Sequence, residues 1–257
     1  MLFNIGDLVT RKSYNNDIVF KIVDIKDNTA ILSGMNIRLC ADANLDDLIK
    51  TKESASDDNE ILSRFGENSL NRSEYFYLPG KILHIDSDKD YLERCMNFYK
   101  KINIKAKGIK LKENEISQNI PKLLDEFKPD ILVITGHDAY YKKMGSEDDS
   151  NNYKNTLNFI KAIREARKNS SQNNLIIIAG ACQSNYEELI KAGANFASSP
   201  KRINIHALDP AIIASSVALS DRNKTIDLLT ILDKTKYGKD GMGGIITNGT
   251  MYVGYPR

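Results

Sequence analysis

The stretch Ile131-Leu132-Val133-Ile134-Thr135-Gly136-His137-Asp138, set beside Leu175-Ile176-Ile177-Ile178-Ala179-Gly180-Ala181-Cys182-Gln183, decides the fold. Each opens with a short, unbroken apolar run rich in β-branched residues and closed by glycine, the pattern of a strand buried on both faces of a parallel sheet. Related runs at 81–86 (KILHID), 102–109 (INIKAKGI) and 194–198 (ANFAS) supply further strands. Between them Ile116, Ile120, Leu123, Leu124 and Phe127, then Tyr153, Leu157, Ile160 and Ile163, recur at helical spacing. Strand and helix therefore alternate, with Pro121 marking a helix start or kink.

Working outward, residues 79–257 read as an α/β domain, a three-layer sandwich with a mainly parallel, doubly wound sheet of flavodoxin-like or caspase-like type. Its functional groups belong beyond the carboxyl ends of the strands. Two helical segments, near 210–219 and 224–235, precede a glycine-rich hairpin in which residues 243–247 turn at Asn248-Gly249 into Met251-Tyr252-Val253. Residues 1–50 alternate apolar and polar in short runs, as in Asp17 to Ile25, and predict a small SH3-like β-barrel, with a curled meander as a reading of the same pattern. The polar stretch 51–78 between the two reads as a linker and carries Arg64 and Arg72.

With 257 residues, 36 basic against 34 acidic side chains, a formal charge of +2 and no Trp, the chain is poorly equipped to bind nucleic acid. No apolar run is long enough for a membrane span, and the N-terminus lacks the pattern of a signal peptide, so the chain is expected inside the cell. Cys40, Cys95 and Cys182 lack CxxC spacing, which argues against both a disulfide framework and a zinc site. Cys95 lies among Leu92, Met96 and Tyr99 at helical spacing and reads as packing. Gly241-Met242-Gly243-Gly244 precedes a strand and reads as a turn, not a phosphate loop.

Two of the most apolar strands end in reactive side chains. If they are neighbours, His137 and Cys182 emerge on one sheet edge although 45 residues separate them. A thiol beside an imidazole is the minimum for nucleophilic catalysis. Ser184 and Glu187 form an S-x-x-E pattern, which predicts a helix starting just after Cys182 and closed by Gly193. A helix N-terminus together with an imidazolium lowers a thiol pKa from about 8.5 to roughly 3.5–7.5. The backbone amides of Asp138 and Cys182 are candidate oxyanion donors. The plain alternative makes Cys182 a small buried hydrophobe and His137 a loop residue. His84 alternates with apolar neighbours and reads as a core histidine, whereas His206 is a reserve base. Asp209-Pro210 reads as a helix start.

A hydrophobic strand ending in a His motif, followed by one ending in Ala181-Cys182, resembles the caspase, gingipain and clostripain class of cysteine peptidases. Over essentially its whole length the chain, from GDLVTRKSY through GHDAYY and AGACQSNYEELIKAGANFASSP to NIHALDP, resembles the YabG family of sporulation-specific peptidases. In the wider class a glycine follows the histidine, while here Gly136 precedes it and Asp138 follows. The resemblance implies an Arg-preferring cysteine endopeptidase that processes spore-coat and germination-related proteins in the mother cell, without metal or organic cofactor. It also implies a specificity carboxylate after the first core strand, where Asp86 and Asp88 are the candidates and Asp88 is the better helix cap. Self-cleavage after Arg64 or Arg72 follows as an expectation. A glutamine amidotransferase is disfavoured because Ser184 stands where its elbow needs Gly. A non-catalytic flavodoxin-like scaffold with a partner-binding N-terminal module is the remaining alternative.

Overall fold

A computed structural model describes residues 3–52, 58–64 and 75–255. The chain forms two compact units, Met1–Ser63 and Arg64–Arg257.

The first unit is an antiparallel sheet of β1 (Leu8–Arg11), β2 (Phe20–Lys26), β3 (Thr29–Gly34), β4 (Cys40–Asn44) and β5 (Leu48–Lys50), in the order β4-β3-β2-β1-β5. Its inward faces bury Val9, Phe20, Ile22, Ala30, Leu32, Ala43 and Leu48. The sheet is a four-stranded meander with β5 returning along β1, the curled meander that the sequence allowed beside an SH3-like barrel. Among the described residues no pairing joins the β4 and β5 edges. A wide turn at Gly34 separates β3 from β4. Gly34 N–H donates to Leu39 O at 2.8 Å across a wide turn. A Cβ at Gly34 would sit 2.3 Å from Ile37 O, so only glycine permits that turn. The stretch expected to be wholly linker contains α1 (Asp58–Arg64), in which Ile61 is buried.

The second unit holds a six-stranded mixed sheet. It contains β7 (Ile82–Asp86), β8 (Ala106–Lys110), β9 (Ile131–Thr135), β10 (Ile176–Ala179), β11 (Phe196–Ser198) and β12 (Met242–Gly244), ordered β12-β11-β10-β9-β7-β8. All neighbours are parallel except β12 on β11. One face carries α3 (Glu113–Phe127), α4 (Thr156–Arg167) and α5 (Tyr186–Lys191), which cover Leu83, Ile85, Leu132, Ile134, Ile177 and Ala179. The other face carries α2 (Lys89–Lys101) and α6 (Asp209–Ala218), the latter buried along its whole length. Such a helix needs no polar face, which is why its ten residues are almost all small or apolar. α3 continues through Pro121, which lies inside the helix and not at its start.

The predicted C-terminal hairpin does not form. Its first arm becomes β12, paired antiparallel with β11, and its second becomes β13 (Tyr252–Gly254), paired with β6 (Phe76–Leu78). Glycine permits the first pairing, because a Cβ at Gly244 would fall 2.6 Å from the Phe196 ring and 2.8 Å from Asn195 O. Of the two late helical segments expected, the first is α6 and the second is shortened to α7 (Leu228–Leu232), with the single turn α8 (Gly238–Gly241) after it. Among the described residues no helix is long and apolar enough to cross a membrane.

Candidate active site

Parallel pairing sets the two reactive strand ends level. Ala179 lies opposite Ile134, and Gly180 N–H donates to Ile134 O at 3.0 Å, so His137 and Cys182 each stand three residues beyond a matched pair. On the other side of β9, Asp86 lies opposite Thr135 and brings the β7–α2 turn to the same edge.

His137 is held at every polar point of its peptide. Its N–H donates to Glu113 Oε1 at 2.9 Å, and its carbonyl accepts from Asn155 Nδ2 at 2.8 Å. Its ring stands beside Tyr91, 5.8 Å between centroids, and Nε2 lies 3.1 Å from Asp88 Oδ2. A carboxylate only accepts, so Nε2 carries the hydrogen and Nδ1 is the nitrogen able to take a proton. Asp88 caps α2 as expected, accepting from Asp90 N–H at 2.9 Å and Tyr91 N–H at 3.1 Å. Burial pushes its carboxyl upward, but the bonds from His137 and Tyr91 outweigh that and hold it below the ordinary 3.8.

Cys182 has no exposed surface. Ile205 N–H points at its sulfur at 3.3 Å, a donor that favours negative charge there. The next residue, Gln183, has φ 58°, and its N–H donates to both Ile203 O at 3.1 Å and Ser199 Oγ at 3.0 Å. Its side chain spans the edge, accepting from Tyr140 N–H and donating to Asn204 Oδ1. Gly180 adopts φ 106° with Ser198 Oγ 2.4 Å from where a Cβ would stand, so the turn into Cys182 requires glycine.

The expected Ser184–Glu187 capping box is not formed. Asn185 caps α5 instead, accepting from Glu188 N–H. Ser184 is drawn inward by Asp138, a buried carboxylate that the sequence presents only as the residue after His137. Asp138 Oδ1 accepts from Ala139 N–H at 2.9 Å and Asn155 N–H at 2.7 Å. Its Oδ2 accepts from Thr156 Oγ1 at 2.5 Å and Ser184 Oγ at 2.8 Å. Burial pushes this carboxyl above the ordinary value even against those four bonds. The Asp138 N–H, expected as an oxyanion donor, makes no hydrogen bond among the described residues.

Of the two specificity candidates, Asp86 is fully enclosed, with Oδ1 accepting from Asp88 N–H and Oδ2 from Thr135 Oγ1 at 2.7 Å. Both oxygens of Asp88 accept hydrogen bonds as well, Oδ1 from the first turn of α2 and Oδ2 from His137. Glu113, which sequence reading missed, is half-buried at the first turn of α3. Its Oε1 accepts from His137 N–H and from Ser87 Oγ at 2.5 Å, and its Oε2 makes no hydrogen bond among the described residues. Gly136 makes room for it, since a Cβ there would lie 2.6 Å from both Glu113 Oε1 and Ser87 Oγ.

His84 is the core histidine anticipated, between Tyr99 OH at 2.9 Å and Thr135 Oγ1 at 3.0 Å. His206 is buried in the turn before α6, where Nδ1 accepts from Leu208 N–H at 3.1 Å and its own N–H donates to Asp209 Oδ2. Asp209 is the first residue of α6, followed by Pro210.

Comparison with known proteins adds a second line of argument. The YabG peptidase U57 family matches residues 4–64 and 56–256. The sporulation-specific protease YabG of Bacillus subtilis (strain 168) is 41% identical over 286 aligned positions, which cover 100% of this chain and 99% of that protein.

The Asp88–His137 pair yields a pH-dependent outcome. A carboxyl lowered in the folded state stabilises it above the ordinary value of 3.8, and that contribution is lost as pH falls through the folded value. Asp88→Asn keeps a cap but loses the charge, so it should cost about 1 kcal/mol near neutrality. Thermal denaturation should show the gap between the two proteins closing below about pH 4.

Proposed function

Because this chain belongs to the YabG peptidase U57 family, we propose that it is a cysteine endopeptidase with Cys182 as nucleophile and His137 as its acid–base partner. His137 Nδ1 takes the thiol proton, the thiolate attacks a peptide carbonyl, and the imidazolium returns the proton to the leaving amine. Water then hydrolyses the thioester. Asp88 keeps Nε2 protonated and favours the imidazolium. The amides of Asp138 and Cys182 receive the oxyanion, and His206 is the reserve base. What supports this reading most is the level register of β9 and β10, which delivers both groups to one edge. Cys182 is enclosed, so attack requires the segment from Ser199 to Ile205 to move aside.

The name of the Bacillus subtilis relative places that protein in sporulation. We extend to this chain the cleavage of spore-coat and germination-related proteins in the mother cell, with a preference for Arg. A guanidinium needs a carboxylate partner, and among Asp86, Asp88 and Glu113 the last has the uncommitted oxygen.

The deciding experiment incubates the purified protein with an Arg-containing protein and identifies the fragments by mass spectrometry. Cys182→Ala and His137→Ala should each reduce cleavage on the order of 10³-fold or more with the circular dichroism unchanged. Activity retained by Cys182→Ala would remove the mechanism, whereas activity retained only by His137→Ala would transfer the base to His206.

Glu113→Gln preserves the acceptor for His137 N–H and removes the charge. It should lower the kcat/KM ratio for Arg over neutral peptides by about 10- to 100-fold, the equivalent of a charge-assisted pair of roughly 1.5–3 kcal/mol. Asp88→Asn should depress turnover of both peptides alike. A ratio unchanged in Glu113→Gln and altered in Asp86→Asn would return the role to Asp86.

Self-processing is part of the same proposal. Arg72 lies outside the described residues, and Arg64 ends α1. N-terminal sequencing of aged protein should find Ser73 or Phe65 as a new terminus, with Cys182→Ala remaining whole. An intact active protein would defeat self-processing alone.

A further inference from the structure

We infer that Asp138 is a positioning residue, a buried clasp that fixes the His137 loop against the Cys182 turn. The inference rests on the peptidase reading above. One oxygen, Oδ1, gathers the histidine side through Ala139 N–H and Asn155 N–H, and Asn155 in turn holds the His137 carbonyl. The other, Oδ2, gathers the cysteine side through two hydroxyls. Ser184 Oγ accepts from Ala181 N–H at 3.0 Å, and Thr156 Oγ1 accepts from Asn185 N–H at 3.1 Å. The turn bearing Cys182 is thus suspended by the amides on both sides of it, and both suspensions end on one carboxylate oxygen.

The polarity of this arrangement is set by chemistry. Each hydroxyl receives an N–H, so its single proton is directed to Asp138. Only an ionised carboxylate accepts two O–H donors on one oxygen and two N–H donors on the other. An amide of the same shape would face two hydroxyl protons with its own NH₂ group, stranding buried donors. His137 and Cys182 lie on separate loops, and displacement of a reacting group by about 1 Å costs on the order of 100-fold in rate. A clasp tying those loops together therefore acts on turnover and leaves substrate affinity largely alone.

The test separates the hydroxyls from the bulk of the residues that carry them. Thr156→Val keeps the volume and loses the hydroxyl, while Thr156→Ser keeps the hydroxyl and loses the methyl. With the full-length protein and an Arg-containing fluorogenic peptide, Thr156→Val and Ser184→Ala should lower kcat by about 10- to 100-fold with KM within about twofold. Thr156→Ser should recover to within about threefold of the parent. Asp138→Asn should fall at least as far as either hydroxyl variant, and if it fails to fold the hydroxyl variants decide. Folded Thr156→Val and Ser184→Ala proteins with kcat within twofold of the parent would overturn the clasp. So would a Thr156→Ser protein as impaired as Thr156→Val. If the parent shows no proteolysis, the peptidase reading fails separately. The clasp is then judged by the pH profile of iodoacetamide labelling at Cys182: a midpoint displaced in Thr156→Val and Ser184→Ala but not in Thr156→Ser supports it, and an unmoved midpoint overturns it.

Discussion

Parallel pairing of β9 with β10 is the constraint on which the site depends. Both strands run in one direction with Ala179 opposite Ile134, so the chain segments that leave them reach the sheet edge together. A slip of two residues would preserve which side chains face each helical layer, yet it would displace His137 from Cys182 by about 7 Å along the strands. A slip of one would exchange the faces, sending Leu132 and Ile134 away from α3 and α4. The side-chain pattern excludes the second error. The glycines exclude the first, because Gly136 and Gly180 tolerate no Cβ where they stand and mark where each strand must end.

Carboxylates then organise the loops. Asp86, Asp88, Glu113 and Asp138 converge on this edge, and an acid removed from water needs donors. Donors from neighbouring segments join the local amides: Thr135 Oγ1 on Asp86, His137 Nε2 on Asp88, His137 N–H and Ser87 Oγ on Glu113, and Asn155 N–H with the Thr156 and Ser184 hydroxyls on Asp138. The balance differs between the acids. Asp88 keeps 19% of its side chain exposed and faces an imidazole that can carry charge, so hydrogen bonding prevails over burial and its carboxyl is lowered. Asp138 has only neutral donors and is almost wholly enclosed, so burial prevails and its carboxyl is raised. One acid thus sits against an imidazole, while the other has its charge absorbed by hydroxyls and amides.

Four of the core strands were legible in the sequence because a strand buried on both faces must be continuously apolar, as ILVIT and LIIIA are, whereas β8, a partly exposed edge strand, starts at Ala106 and not at Ile102. His137 and Cys182 were legible as candidates because such strands end where catalysis in this architecture takes place. What escaped detection depends on partners distant in sequence. Ser184 and Glu187 carry a capping pattern, but Asp138, 46 residues earlier, takes the hydroxyl, and capping passes to Asn185. Glu113 resembles any acid in the first turn of a helix until His137, 24 residues on, donates to it. The glycine-rich C-terminus has the local chemistry of a hairpin, yet both of its arms find better edges elsewhere, on β11 and β6. Local propensity yields wherever tertiary pairing offers more hydrogen bonds.

Backbone strain around the thiol fits the same picture. Gln183, Ser199 and Arg202 all hold left-handed conformations, with φ of 58°, 63° and 53°. Such residues cost about 1–3 kcal/mol each and persist only when their surroundings over-determine them. Here they do. Gln183 is bonded through its amide and both ends of its side chain. Ser199 Oγ accepts from Gln183 N–H and donates to Ile203 O at 2.7 Å, and Arg202 is fixed by Tyr153 and Glu187. The segment beside Cys182 is therefore strained and cross-linked by polar contacts, with Ile205 as its buried apolar anchor. These polar contacts hold the strained residues while Ile205 packs into the core beside the thiol, so backbone geometry and apolar burial together fix where Cys182 stands relative to the sheet.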